Sequence, residues 1–176
     1  MKARLPGQRG AALIEALIAM LIVAFGVLGF VGLQARTAVT TLEGYQRSQA
    51  LVLLNDITQR INLNRANAAA YVAEDIGATD PGECPATPTA ARDLCEWAHL
   101  LRGAGEQQGG TNVGAMVAGR GCIESVGTSE YLVSVVWQGV QATGATPLAC
   151  GSGDYPDEAL RRGVSVVVRI ADLTAP

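Results

Sequence analysis

The sequence contains little of what a catalytic or nucleic-acid-binding protein needs. It has one histidine among 176 residues, and its 13 lysine and arginine residues are outnumbered by 16 aspartate and glutamate residues. Without the three basic residues of the first ten, the balance is 10 against 16, a formal charge of −6. Such an acidic chain lacks the positive surface that attracts nucleic acid. No P-loop, nucleophile elbow or paired-carboxylate motif is present, so the sequence predicts no enzyme, no cofactor and no resident metal.

Proline is absent from residue 7 to residue 80, and the start of this stretch is strongly apolar. Residues 16–33 carry no charge, and the run extends back to residue 11 with Glu15 as its only charged residue. As a helix its 23 residues would span about 34 Å, enough for a hydrocarbon core of about 30 Å. Lys2, Arg4 and Arg9 precede the run. The positive-inside rule therefore predicts a cytoplasmic N-terminus and a single pass through the inner membrane into the periplasm.

Two simpler explanations of this run stay open. A cleaved secretory signal has an apolar region of about 7–15 residues followed by a small-x-small site; here the run is longer and "LQARTAV" fits poorly. A plain signal anchor accounts for the length but not for Glu15, because a charged group at the centre of a bilayer costs roughly 2.5–3.5 kcal/mol or more. An acid in such a segment therefore indicates a function that supplies it with a partner.

The helical pattern continues beyond the apolar run. Apolar residues recur at helical spacing with polar residues between them, which is typical of a helix with one buried face. They are Ala50, Leu53 or Leu54, Ile57 and Ile61. We predict one helix over residues 11–65, with a transmembrane half at 11–33 and an amphipathic half at 34–65 that packs on a domain downstream.

Residues 66–176 are expected to form one periplasmic globular domain. The segment "EDIGATDPGECPATPTA" is typical of a loop, and "TAARDLCEWAHLLRG" predicts a short helix capped by Thr87 or Thr89 and stopped at Gly103. We expect the tryptophans, Trp97 and Trp137, to lie in the core or on a sheet face.

Strand signals dominate the second half of this domain. The segments "YLVSVVWQG" and "GVSVVVRIA" are predicted to form strands. In the second, the residues that share one face are Val164, Val166, Val168 and Ile170. The segment "CIES" is expected to pair with the first of these strands through the turn "VGTS", and the glycine-rich stretch before it to contain a short edge strand. The predicted fold class is α+β: a long N-terminal helix packed on a small antiparallel sheet.

Four cysteines all follow the apolar run, on the predicted periplasmic side. An even count in an oxidising compartment predicts two disulfides, for which three pairings exist. We favour Cys84–Cys95, which would pin a loop to the short helix, and Cys122–Cys150, which would tie the ends of a strand-loop unit. Two metal sites are less favoured alternatives: zinc at Cys84, Cys95 and His99, and calcium at the oxygen side chains of "CGSGDYPDE". The latter are Ser152, Asp154, Asp157 and Glu158.

The N-terminal segment "RGAALIEALIAMLIVAFGVLG" resembles a type IV prepilin N-terminus. That pattern is a short basic leader ending in glycine, followed by an apolar helix whose fifth residue is glutamate. The segment "GVLGFVGLQ", followed by "YQRSQALVLLNDITQRINLNR", is similar to the PilV-type minor pilins, or type IV pilus modification proteins. The chain departs from the commoner pilin pattern in having alanine at residues 11 and 12, where many pilins have Phe and then Thr or Ser.

The resemblance implies a pilin-like fold and a sequence of processing steps. Residues 1–10 would be a cytoplasmic leader that a prepilin peptidase removes between Gly10 and Ala11, and the new amino group of Ala11 would be methylated. Glu15 would pair with the N-terminal amine of a neighbouring subunit during assembly. The protein would act with other minor pilins, the major pilin and a possible tip adhesin in the initiation and tip complex of a type IV pilus, and would reach the cell surface with it.

Other readings of the same features remain. Glu15 could pair instead with the amine of its own chain, four residues away on the helix. Gly26, Gly29 and Gly32 would suit either a helix that stretches in a filament or close helix packing in a membrane. The whole chain could also be a minor pseudopilin of a type II secretion system. A membrane-anchored periplasmic enzyme or sensor domain is a further alternative, which would retain residues 1–10 and not depend on Glu15.

Overall fold

The computed structural model describes residues 9–114 and 116–171, with side chains from residue 12 onward. Within these residues, two helices and six strands follow one another. They are α1 (Arg9–Leu63), β1 (Ala73–Ile76), α2 (Ala90–Leu101), β2 (Gln107–Gln108), β3 (Thr111–Asn112), β4 (Arg120–Gly127), β5 (Glu130–Gln138) and β6 (Arg161–Arg169). Short 3-10 helices cover Arg65–Tyr71 and Glu158–Leu160. The chain divides into two compact units between Leu42 and Glu43.

Helix α1 is continuous from Arg9 to Leu63, close to the predicted 11–65. No proline interrupts it. A proline inside the helix would remove a backbone hydrogen-bond donor and clash with the preceding turn. The side chains of residues 12–38 are all exposed, and α1 is the helix in the described part of the chain that is long and apolar enough to cross a membrane.

The main sheet is antiparallel, with strand order β1-β4-β5-β6. Strands β4 and β5 form the predicted hairpin: Cys122 pairs with Ser134, and Ser129 in the turn has a positive φ of 57°. Strand β6 pairs with β5 along its whole length. Of the residues predicted to share one face of β6, Val168 is 4% exposed but Val166 is 38% exposed.

One sequence prediction was wrong in detail. Residues 74–76 were assigned to a loop, but they belong to β1, which pairs with the edge of β4. This strand is polar and irregular, and Asp75 has a φ of 52°, so no alternating pattern marks it. The glycine-rich segment, for which a short edge strand is expected, contains two short strands. It forms a separate hairpin of β2 and β3, turned by Gly109 and Gly110, whose positive φ values of 60° and 80° suit a tight hairpin turn.

One hydrophobic core joins the second half of α1, helix α2 and the inner face of the sheet, which is an α+β arrangement. The stripe predicted on α1 enters this core: Ala50, Ile57 and Ile61 are fully buried. Trp97 of α2 is also fully buried, and its Nε1 donates to the backbone oxygen of Leu53 at 2.9 Å. Helix α2 begins after Thr89, whose hydroxyl accepts from the backbone N–H of Arg92, so the second of the two predicted caps is the one used.

Candidate functional site

The first candidate is the apolar surface of α1 within residues 12–42. Its large apolar side chains up to Leu33 are more than half exposed, for example Leu17 at 66% and Phe25 at 66%. Glu15 is the only charged residue between residues 12 and 35, and its side chain is exposed. Among the described side chains, no cation lies within salt-bridge distance of Glu15. In a membrane this carboxylate would need a cation, because an unpaired charge in hydrocarbon is costly.

The glycines of this helix are not required by packing within the described chain. A Cβ added at Gly26, Gly29 or Gly32 would meet no atom within 4 Å, and α1 stays α-helical through all three. Both readings of these glycines, a helix that can stretch and close packing on another helix, therefore remain predictions. The leader residues 1–8 and the side chain of Ala11 lie outside the described residues, so cleavage after Gly10 and methylation of Ala11 also remain predictions.

Two disulfides secure the globular unit. Cys84 is bonded to Cys95, which joins the loop after β1 to α2, and Cys122 is bonded to Cys150, which joins β4 to the β5–β6 connection. These are the pairs that the sequence favours. Their Cα–Cα distances of 5.6 and 5.7 Å are usual for disulfides. The first bond therefore fixes the loop before α2, and the second fixes the β5–β6 connection.

The β5–β6 connection, residues 139–157, is the longest loop in the described part of the chain, and its ends are tied to the domain. Glu43 accepts from the backbone N–H groups of Val140 and Gln141 at 3.2 and 3.1 Å. Near the other end, the hydroxyl of Tyr155 donates to the backbone oxygen of Ala118 at 2.9 Å. A loop of this length is usually functional or disordered; this one is fixed by specific contacts that the sequence did not reveal.

Three of the four oxygen side chains considered for calcium already have partners. Asp154 pairs with Arg120 at 2.6 Å, and Asp157 accepts from the backbone N–H of Ala159 at 2.8 Å. Glu158 pairs with Arg161, and a backbone N–H bond from Gly153 is the main cause that lowers its pKa. Among the described residues, the one group of side chains at metal-ligating distances is Cys84, Cys95 and His99. Its two sulfurs are joined to each other, so neither is free to bind a metal in this form.

A polar cluster that the sequence analysis missed lies where α1 ends. Arg60 pairs with Asp56, Asp93 and Glu96 at 2.9, 3.1 and 2.7 Å, and the hydroxyl of Tyr71 donates to Asp93. Burial alone would lower the pKa of Arg60, but its hydrogen bond to Glu96 and the charge of Asp56 hold that pKa above the usual value. The hydrogen bond from Arg60 in turn lowers the pKa of Glu96. Arg60 and Glu96 therefore stay ionised at neutral pH, and their ion pair joins α1 to α2.

Two surface cavities lie near these loops. One, of about 270 Å³, is lined by Gly77, Leu101, Arg102 and Gly119 among others. The second, of about 230 Å³, lies against the Cys122–Cys150 bond. No protein-family model, no curated protein and no solved structure matches this chain.

Proposed function

We propose that this chain is a minor pilin, a non-catalytic subunit that takes part in initiating a type IV pilus and in forming its tip complex. The observation that carries the proposal is the position of Glu15. It is the fifth residue after Gly10 and the only charge on an exposed apolar helical surface. The same helix continues without a break into the core of a disulfide-bonded α+β unit. This combination matches the prepilin pattern that the N-terminal sequence resembles.

The physical argument for assembly concerns charge pairing in a membrane. Cleavage after Gly10 would create a positive amine at Ala11. A carboxylate in lipid is costly until a cation approaches it, so the amine of a neighbouring subunit would stabilise Glu15 when helices come together. Before assembly the protein would reside in the inner membrane, and after assembly in the pilus. Its partners would be the prepilin peptidase, other minor pilins, the major pilin and possibly an adhesin at the tip.

The globular unit is suited to recognition by neighbouring subunits rather than to catalysis. Its two disulfides close loops with sequence separations of 11 and 28, which in the chain-entropy approximation contributes about 3 and 3.6 kcal/mol of stability. Its long β5–β6 connection is fixed by Glu43, Tyr155 and the Cys122–Cys150 bond. A rigid surface loop on a stable scaffold suits recognition by neighbouring subunits.

Substitutions at Glu15 test the proposal. We expect Glu15→Ala and Glu15→Gln to accumulate in the membrane and to be largely lost from sheared surface pili, because both remove the charge. Glu15→Asp keeps the charge and should retain a larger share of the protein in that fraction. Immunoblots of membrane and sheared fractions from strains complemented with each variant measure the split. Normal amounts of Glu15→Ala in the pili would show that the carboxylate has no role in assembly.

The deletion strain separates the two assembly machineries. If the protein is a minor pilin, deletion should reduce surface piliation and leave protein secretion intact. If it is a minor pseudopilin of a type II secretion system, secreted proteins should instead accumulate in the periplasm while pili remain.

A further inference from the structure

The Cys84–Cys95 disulfide lies beside a histidine, and this carries an inference that is independent of the proposed function. Ligand atoms of Cys84, Cys95 and His99 all lie within 4.8 Å of one another, and all three residues are partly buried. We propose that, once this disulfide is reduced, the two thiolates and the imidazole bind Zn²⁺, with water as the fourth ligand. Two sulfurs, one nitrogen and one open position form a four-coordinate set that zinc accepts.

A hydrogen bond to the loop that carries Cys84 leaves one ring nitrogen of His99 free to bind a metal. Its Nε2 lies 2.8 Å from the backbone oxygen of Gly82. A carbonyl oxygen only accepts, so Nε2 is the donor, and in the neutral ring Nδ1 then has the free lone pair. Metal-bound histidines usually donate their other ring N–H to a backbone carbonyl or a carboxylate, which fixes the tautomer and the ring direction. The structure already contains that outer contact.

The loop that carries Cys84 is held against α2 by more than the disulfide. Gly82, two residues before Cys84, contacts His99, and Ala86, two residues after it, accepts from Nη1 of Arg92 at 2.9 Å. Both donors belong to α2, the helix that also carries Cys95. Reduction therefore leaves Cys84 near Cys95. The sulfurs need to separate only to about 3.8 Å, the spacing that two Zn–S bonds of about 2.3 Å require in a tetrahedral site.

Reduction of the Cys84–Cys95 bond needs an external reductant and no reactant from the protein itself. A dithiol or a phosphine supplies two electrons, the S–S bond breaks, and each sulfur takes up a proton. Zinc binding then releases those protons, because the thiolate is the ligand. The reductant should reach this pair first, since Cys84 and Cys95 are partly exposed whereas Cys122 and Cys150 are 2% and 4% exposed, and exchange depends on access to sulfur.

Cobalt(II) is the probe, because its thiolate complexes absorb in the near ultraviolet and its d–d bands report tetrahedral geometry. The full chain in mild detergent is treated with a phosphine, and Co²⁺ is titrated before and after. We expect no thiolate-to-cobalt band in the oxidised protein. A 1:1 band should appear after reduction and be displaced by Zn²⁺. Alkylation and peptide mass mapping should place the first two opened thiols at Cys84 and Cys95.

Two variants decide the assignment of the ligands. The double variant Cys84→Ser/Cys95→Ser should lose the band. It keeps Cys122 and Cys150, so the comparison holds even when both disulfides open. His99→Gln can still donate to Gly82 but removes a ligand, so it should weaken cobalt binding by more than the about tenfold loss that follows removal of a supporting contact alone. A band that persists in the double variant, unchanged affinity in His99→Gln, or no band after reduction of the parent protein would each overturn the proposal.

Discussion

Arg161 is a buried cation that fixes the start of β6. Its side chain is 3% exposed, pairs with Glu158 at 2.6 Å, and donates to the backbone oxygens of Leu148 and Cys150 at 2.7 and 3.0 Å. We expect Arg161→Met to leave these acceptors without a donor and to lower the free energy of unfolding by about 3 kcal/mol or more. Urea unfolding of the full chain in mild detergent, followed by circular dichroism, measures the loss.

The matched control for Arg161 lies at the other end of the same strand. Arg169 is 78% exposed and pairs with Glu130 at 2.9 Å. An exposed ion pair contributes roughly 0–1 kcal/mol, so Arg169→Met should change stability little. Equal losses in the two variants would show that burial and the carbonyl contacts of Arg161 are not what stabilises the loop.

Two buried tyrosines make the folded chain sensitive to alkali. Tyr71 is fully buried and Tyr155 is 6% exposed, and burial is the main cause that raises the pKa of each hydroxyl to about 12. The unfolded chain, with a tyrosine pKa of about 10, releases these protons earlier than the folded chain. The contribution of both groups to stability is therefore complete below about pH 10 and is lost between about pH 10 and 12.

Unfolding midpoints measured between about pH 10 and 12 test whether stability falls as pH rises. The parent chain should lose stability as pH rises from about 10 to 12, and the double variant Tyr71→Phe/Tyr155→Phe should show a shallower fall, because phenylalanine has no proton to release. Tyr45→Phe is the control, since Tyr45 is 43% exposed. A slope that is the same in the parent and the double variant would assign the alkaline sensitivity to other groups.

Between elements, α2 packs on β4 at a point that has no room for a side chain. Gly121 of β4 faces Trp97, and a Cβ at residue 121 would overlap the indole ring. Trp97 is fully buried and hydrogen-bonded to Leu53, so the ring cannot retreat without losing that bond. We expect Gly121→Ala to lower the free energy of unfolding by about 1–3 kcal/mol.

Thermal unfolding of Gly121→Ala and of a second glycine variant measures this effect. A Cβ at Gly144 would meet no atom within 4 Å, so Gly144→Ala should stay within about 0.5 kcal/mol of the parent chain. If Gly121→Ala is as stable as Gly144→Ala, the α2–β4 contact is looser than described.

The elements that the sequence predicts are those with a strong local signal. Helix α1 has an uninterrupted periodic pattern, α2 has Thr89 as its cap, and β5 is rich in β-branched residues, so local preference and tertiary packing agree. Strand β1 is polar and exists because the edge of β4 offers it backbone partners, a long-range effect without a sequence pattern. The ion pair of Arg60 with Asp93 likewise joins residues 33 positions apart, which no spacing rule anticipates.

The same contrast between local signals and long-range contacts applies to the candidate site. Glu15 and the cysteine pairs could be singled out from the sequence, because a charge in an apolar run and an even cysteine count each have few explanations. The contacts by which Arg161 fixes the β5–β6 connection could not be predicted from the sequence. The acceptors in these contacts are backbone oxygens, which carry no side-chain signature. Loops fixed by backbone acceptors are therefore the part of the site that sequence reasoning misses.

Over the whole molecule, the two units differ in what they bury. The described side chains of residues 12–38 are exposed and mostly apolar, while the unit that begins at Glu43 has its own core and two disulfides. Under the pilin proposal, the subunit folds before it assembles and needs this difference. Its domain must be stable alone, and its apolar helix must wait for a membrane or for other helices to cover it.

Mass spectrometry of the whole chain can test the proposed cleavage and methylation. Under the pilin proposal, protein extracted from membranes should begin at Ala11, because the leader ends at Gly10, and should carry one added methyl group at its new amine. Substituting Gly10→Val should leave residues 1–10 attached, because the side chain obstructs the cleaved bond, whereas Gly7→Val should be processed normally. A mature protein that begins at Met1, or beyond Leu33, would contradict the pilin proposal. In the first case Glu15 would have no nearby amine at Ala11, and in the second the helix that carries Glu15 would itself be a removed signal.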